Sequence, residues 1–171
     1  MEIPQRKPTR LTEYDYSAPG AYFVTICTHN RKRTLSRIVG AIHESPEVQL
    51  TEQGKIVDAV LTHLPSHLNV NIDKYVIMPN HVHLLLSVPC RSVERAIRES
   101  PLQGRSVLSK AIGFIKMNAS KLIHAITDDA PVWQRSYYDH IIRGEQDYQD
   151  VWTYMDTNPV RWVEDEFYCT E

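Results

Sequence analysis

The chain of 171 residues holds only three cysteines, Cys27, Cys90 and Cys169. They are odd in number, far apart and never spaced Cys-x-x-Cys. That excludes a disulfide framework and a zinc finger and fits a reducing compartment. No apolar run approaches the length that spans a bilayer, and the N-terminus lacks the apolar stretch of a secretory signal. The expected address is the cytoplasm, with no membrane partner. Strong charge of one sign is also missing. A net charge of −2 gives no global mark of a polyanion partner, although a local basic stripe is enough for phosphate contacts. Repeats and low-complexity tracts are absent too.

What is present reads as one domain of ordinary hydrophobic content, 42%, long enough to bury its own core. Residues 1–20 carry Arg6, Lys7 and Arg10 with three prolines and read as an extended basic arm. Residues 21–171 form the single domain. Ala21 to Thr28 is β-branched and aromatic, hence a strand. Thr34 to Pro46 is ambiguous. Thr51 caps a helix whose stripe is Ile56, Val57, Val60, Leu61 and Leu64, with Pro65 as its stop. Residues 70–88 form a hairpin around Pro79-Asn80. Residues 89–105, with Arg91, Arg95 and Arg98, read as a flexible insertion. A second helix runs over 106–126 on Leu108, Ala111, Ile112, Ile115, Ala119, Leu122, Ile123 and Ile126. Val132 to Ile142 is the last strand. A third helix runs from Glu145 to Asn158-Pro159, presenting Tyr148, Val151, Trp152 and Met155 to the sheet. Strand, helix, strand, strand, helix, strand and an extra helix make an α+β, ferredoxin-like fold: an antiparallel sheet with two helices on one face.

Two features carry chemistry. His81 and His83 straddle Val82 on a strand, so both imidazoles share one sheet face. They are half of a metal site or a pair of packing histidines. On the third helix, Asp150, Tyr154 and Asn158 are spaced by four and form a polar stripe. Tyr154 is a candidate nucleophile, and Asn158 offers a carbonyl oxygen to a hard cation, Mg²⁺ or Mn²⁺. Asn158 before Pro159 equally suits an N-cap, and a helix tyrosine equally suits packing. No carboxylate cluster of a metallohydrolase accompanies the histidines. Glu164, Asp165, Glu166 and Glu171 only make the tail acidic.

In order along the chain stand LTEYDYSAPGAYFVTICT (11–28), YVIMPNHVHLLL (75–86), VWQRSYYDHIIR (132–143) and YMDTNP (154–159). Together they resemble the single-tyrosine HUH transposases and, within them, the REP-associated tyrosine transposases. The resemblance implies that His81 and His83 are the HUH histidines, Tyr154 the nucleophile and Asn158 the third ligand of a divalent metal, Mg²⁺ or Mn²⁺. It implies a single-stranded DNA nuclease and strand transferase that passes through a 5′-phosphotyrosine, acting on single-stranded or hairpin DNA such as REP-like palindromes. Relatives include monomers and homodimers, so the oligomeric state stays open. Asp150, one turn before Tyr154, is a candidate base.

Candidate DNA contacts are Arg6, Lys7 and Arg10 of the arm, Lys110, Lys116 and Lys121 of the second helix, and Arg135 and Arg143 near the last strand. Trp133, Tyr137 and Tyr138 are stacking candidates, though strand aromatics also serve the core. Arg31-Lys32-Arg33 reads as a solvated loop. Two other functions compete: a domesticated sequence-specific DNA-binding protein, and another HUH nickase of the replication-initiator or relaxase type.

Overall fold

The structure is a computed structural model that describes residues 14–40, 47–90, 105–128 and 130–169. Arg6, Lys7 and Arg10, and the insertion's Arg91, Arg95 and Arg98, lie outside the described residues. Four strands build the main sheet: β1 (Gly20–Cys27), β4 (Asn71–Ile77), β5 (His81–Val88) and β6 (Tyr138–Ile141). Their order is β4-β5-β1-β6, and each neighbouring pair is antiparallel. This is the split βαβ arrangement of a ferredoxin-like fold. Helices α1 (Glu52–His67) and α2 (Val107–Ile123) cover one face, and α3 (Glu145–Thr157) follows β6. Within the described part of the ambiguous stretch, β2 (Ser36–Val39) forms and pairs antiparallel with β3 (Glu47–Leu50), which lies beyond it. Among the described residues, no helix is long and apolar enough to cross a membrane.

Alternation along the central strands divides the two faces. Tyr22, Val24 and Ile26 of β1 and Val82, Leu84 and Leu86 of β5 are buried in the core, with Val57, Leu61 and Leu64 of α1 and Leu108, Ile112 and Ile115 of α2. Each such side chain contributes about 1.5–3 kcal/mol of burial. The alternate residues, Phe23, Thr25, Cys27, His81 and His83, necessarily point to the other face. That assignment places the histidines opposite the two-helix layer.

The helices begin where the sequence supplies caps. The Thr51 hydroxyl accepts the Gly54 N–H at 3.1 Å, and that of Ser106 accepts the Ser109 N–H at 3.2 Å. Gly54 is required by proximity, since a Cβ there would sit 2.0 Å from the Leu35 carbonyl oxygen.

Four expectations need correction. Pro65 does not end α1: the helix runs on to His67, its last turn closed by Leu68 N–H to the Leu64 carbonyl at 3.1 Å. On α2, Leu122 and Ile126 are exposed, whereas Ile123, the last residue of the helix, is buried. On α3, Met155 is buried, whereas Trp152 is exposed and stacks on Tyr148 under the Lys74 ammonium. The last strand is shorter than Val132–Ile142. Lys116 Nζ donates to the carbonyls of Gln134 and Ser136, at 2.7 Å each, and draws these groups out of a ladder. Only Tyr138–Ile141 pairs as a strand, although Trp133 bridges to Thr28. The end of the basic arm is packed: Tyr16 is buried and its carbonyl accepts the Leu108 N–H at 3.4 Å.

Candidate active site

The hairpin turn sets the first half of the site. Met78 N–H bonds to the His81 carbonyl at 2.9 Å, and Thr28 donates both its N–H and its hydroxyl to the Asn80 carbonyl, at 2.9 Å each. The Asn80 amide donates Nδ2–H to the Phe167 carbonyl at 2.8 Å, leaving Oδ1 to accept from His81 Nδ1 at 2.8 Å. With its proton on Nδ1, His81 turns a lone pair outward on Nε2. That atom lies 2.9 Å from His83 Nε2. The other nitrogen of His83 is 2.8 Å from Thr25 Oγ1 on the neighbouring strand.

Two proton arrangements satisfy this pair. In one, the Thr25 hydroxyl donates to His83 Nδ1 and His83 donates Nε2–H to His81. In the other, Thr25 accepts from Nδ1–H, and the two Nε2 lone pairs converge on a shared cation. Rotation of one hydroxyl and a tautomer shift interconvert them. Both histidines are wholly buried. Burial, with the positive charge of Arg31 as a smaller cause, pushes His81 down to about 3. Burial and then the His81 neighbour hold His83 well below the usual histidine range, opposed by Asp165. Both are therefore neutral at pH 7, the protonation state a metal ligand needs.

Helix α3 supplies the second half. Its Tyr154 hydroxyl stands 3.4 Å from His83 Nε2 and donates to Asp165 Oδ2 at 3.3 Å. The Tyr154 ring meets the edges of Phe23 and His83 at centroid distances of 5.9 and 5.3 Å. One turn on, Asn158 is buried and donates Nδ2–H to the same Asp165 oxygen. Its Oδ1 is buried with no hydrogen-bond partner among the described residues. Asn158 therefore caps nothing with its side chain, and its amide is turned into the site. Tyr154 has its pKa raised, first by burial and then by the Asp165 charge and hydrogen bond, so at pH 7 it is a phenol.

Sequence reasoning misses Asp165, which reads there only as part of an acidic tail. Ligand atoms of His81, His83 and Asp165 lie within 4.8 Å of one another. Two imidazole nitrogens, a carboxylate oxygen and the unpartnered Asn158 oxygen make a mixed nitrogen–oxygen set that suits a divalent ion. The only advance signal was the position of Asp165, soon after the Tyr-x-x-x-Asn stripe. Asp150 lines the same cavity, but its carboxylate takes a hydrogen bond from Gln146 at 2.8 Å, and Asp165 holds the place beside the phenol.

A cavity of about 600 Å³ opens at Tyr154, with Phe23, Thr25, His83, Asn158 and Asp165 in its walls and Arg161 as its cation. The basic candidates lie elsewhere. Lys110 and Lys121 are exposed on α2, on the sheet face away from the histidines, and the Lys116 ammonium is taken by two carbonyls. Arg135 and Arg143 are exposed and do not line the cavity. Trp133 is buried, whereas Tyr138 is 48% exposed.

No protein-family model matches the chain. An uncharacterized protein of Haemophilus influenzae is 32% identical over 179 residues, spanning 97% of this chain and 94% of the relative. A second protein of that organism, assigned to the REP-associated tyrosine transposases, is 27% identical over 151 residues, covering 86% of this chain and 74% of its own. The solved structure of a REP-associated tyrosine transposase bound to a REP hairpin superposes with a TM-score of 0.61 at 20% identity, over 89% of this chain and 74% of that one. At that identity the match establishes a shared fold.

Proposed function

We propose that the chain is a tyrosine transposase of the REP-associated kind, which its 27% identical relative and its shared fold support, and that it cuts and rejoins single-stranded DNA by attack of Tyr154 on a phosphate. One observation carries this function: a helix-borne phenol lies 3.4 Å from one of two neutral, paired imidazoles. A packing tyrosine has no need of that neighbour. One turn on from the phenol, the buried Asn158 Oδ1 has no hydrogen-bond partner among the described residues, as a group that awaits a ligand would.

In the reaction, the Tyr154 oxygen bonds to phosphorus as the bond from phosphorus to the 3′ oxygen breaks. The product is a 5′-phosphotyrosine and a free 3′-hydroxyl. The phenolic proton leaves to solvent, to which Tyr154 is 38% exposed. The leaving 3′ oxygen takes up a proton from water. A second 3′-hydroxyl reverses the step and restores the phenol, so no nucleotide cofactor is consumed. His81, His83 and Asn158, with Asp165, are the residues that would hold a divalent ion, Mg²⁺ or Mn²⁺. Such an ion, when bound, supplies positive charge to the phosphate oxygens as negative charge builds on them. The partner is single-stranded or hairpin DNA, with REP-like palindromes as the specific proposal.

The test incubates the protein with hairpin DNA bearing single-stranded arms, plus Mn²⁺ or Mg²⁺, and looks for an adduct that survives denaturation. Wild type is expected to give one. Tyr154→Phe gives none, and His81→Ala loses at least a hundredfold in yield while still binding the DNA. An adduct formed by Tyr154→Phe at the wild-type rate would remove Tyr154 from this role.

A further inference from the structure

Beside the Tyr154 cavity lies a second one, of about 220 Å³, with Phe23, Arg31, Tyr138, His140, Glu166 and Phe167 among its walls. Phe23, Thr25 and Glu166 line both. Strand register explains the placement. Tyr138 lies opposite Thr25, and Thr25 opposite His83, so the three share one row and one face across β6, β1 and β5. Two strand spacings put Tyr138 about 10 Å from His83. A nucleotide neighbouring a phosphate held at Tyr154 can reach that far.

We propose that this second cavity is a subsite for one unpaired nucleotide, its base stacked on Tyr138 and its phosphate paired with Arg31; the idea rests on the DNA function above. Three observations support it. Tyr138 is 48% exposed, with its ring 5.7 Å from that of Phe167, so it presents a stacking face rather than a core residue. The volume equals about seven waters, the size of a nucleobase and far too small for a duplex. Arg31 is delivered by a backbone that most residues avoid: φ is 52° at Asn30 and 55° at Arg31. Successive left-handed non-glycine residues concentrate at sites where a side chain must be aimed. Here the guanidinium lies 5.3 Å from the centre of the Phe167 ring and donates to the Glu166 carbonyl at 3.1 Å. It is the one cation among the residues that line this cavity.

The experiment measures binding by fluorescence anisotropy for a DNA hairpin with single-stranded arms and for the same hairpin with abasic arms. Stacking on an aromatic is sequence-tolerant, so the arms need no particular sequence. Wild type is expected to bind the base-bearing arms about tenfold more tightly. Tyr138→Ala should lose most of that preference, and Tyr138→Phe should keep it, because stacking uses the ring and not the hydroxyl. Arg31→Gln should weaken both probes and lower the salt dependence by roughly one phosphate contact. Equal affinity of wild type for the two probes, no DNA binding at all, or an undiminished preference in Tyr138→Ala each overturns the subsite. The Tyr154 adduct assay on the same hairpins separates the two proposals. An adduct without base preference sinks only the subsite, and a base preference without an adduct sinks only the nuclease.

Discussion

Asn80 shows how one side chain can set the state of a whole centre. Its oxygen fixes the His81 proton on Nδ1, its nitrogen ties down the Phe167 carbonyl, and its own carbonyl anchors Thr28. Keeping His81 buried and neutral has a cost that depends on pH. In the unfolded chain His81 takes its proton near 6.5, in the folded chain only near 3. Between those values the unfolded state binds more protons, so the stability is full above pH 6.5 and is lost as the pH falls toward 3. For His81 alone the loss from pH 7 to 5 is about 2 kcal/mol, and His83 acts in the same direction. In EDTA, so that no metal contributes, the urea unfolding midpoint should drop over that range. His81→Gln should flatten the slope. A midpoint independent of pH between 7 and 5 would contradict the buried neutral pair.

At the scale of elements, the segments with a clear period were legible and those held by single long-range contacts were not. The stripes of Val57, Leu61 and Leu64 and of Leu108, Ile112 and Ile115 predicted both helices of the core, and alternation placed His81 and His83 together. Tyr154 and Asn158 came from the same kind of spacing. Asp165 and Phe167 have no period; they join the site by reaching His83, Tyr154 and Asn80 across long stretches of chain. Lys116 is another such contact. Read as a phosphate ligand, it instead holds the Gln134 and Ser136 carbonyls. Burial pulls its ammonium down to about 8, which leaves it charged at pH 7. Lys116→Met should destabilise the fold by about 1–3 kcal/mol by unpairing both carbonyls, and hydrogen exchange near 132–137 should quicken. If neither stability nor exchange changes, the clamp does not hold this segment.

Across the whole molecule, the chain's last described residues close over its candidate centre. Both histidines have no solvent exposure, whereas Tyr154 retains 38%. A phosphate can therefore approach the phenol from the cavity but cannot reach His81 until the segment from Glu166 to Cys169 shifts. That cover is held by Asn80 to the Phe167 carbonyl at 2.8 Å, Arg31 to the Glu166 carbonyl at 3.1 Å, Arg33 to the Cys169 carbonyl, and the Phe167 ring 4.8 Å from the His81 ring. Most of these bonds use backbone carbonyls, so they tolerate side-chain exchange in the tail. The buried Phe167 ring is the part that a substitution can remove. If the closed state is favoured, weakening it raises the competent fraction in proportion; a loss of about 1.4 kcal/mol corresponds to tenfold. Phe167→Ala should therefore form the Tyr154 adduct faster, by up to about that factor, while its thermal midpoint falls. The decisive comparison is the initial adduct rate of folded variant and wild type at saturating metal and saturating DNA, so that any binding lost at the cavity Phe167 also lines does not enter. An equal or slower rate would mean that the tail supports the centre instead of restricting it, and that DNA enters by the Tyr154 cavity alone.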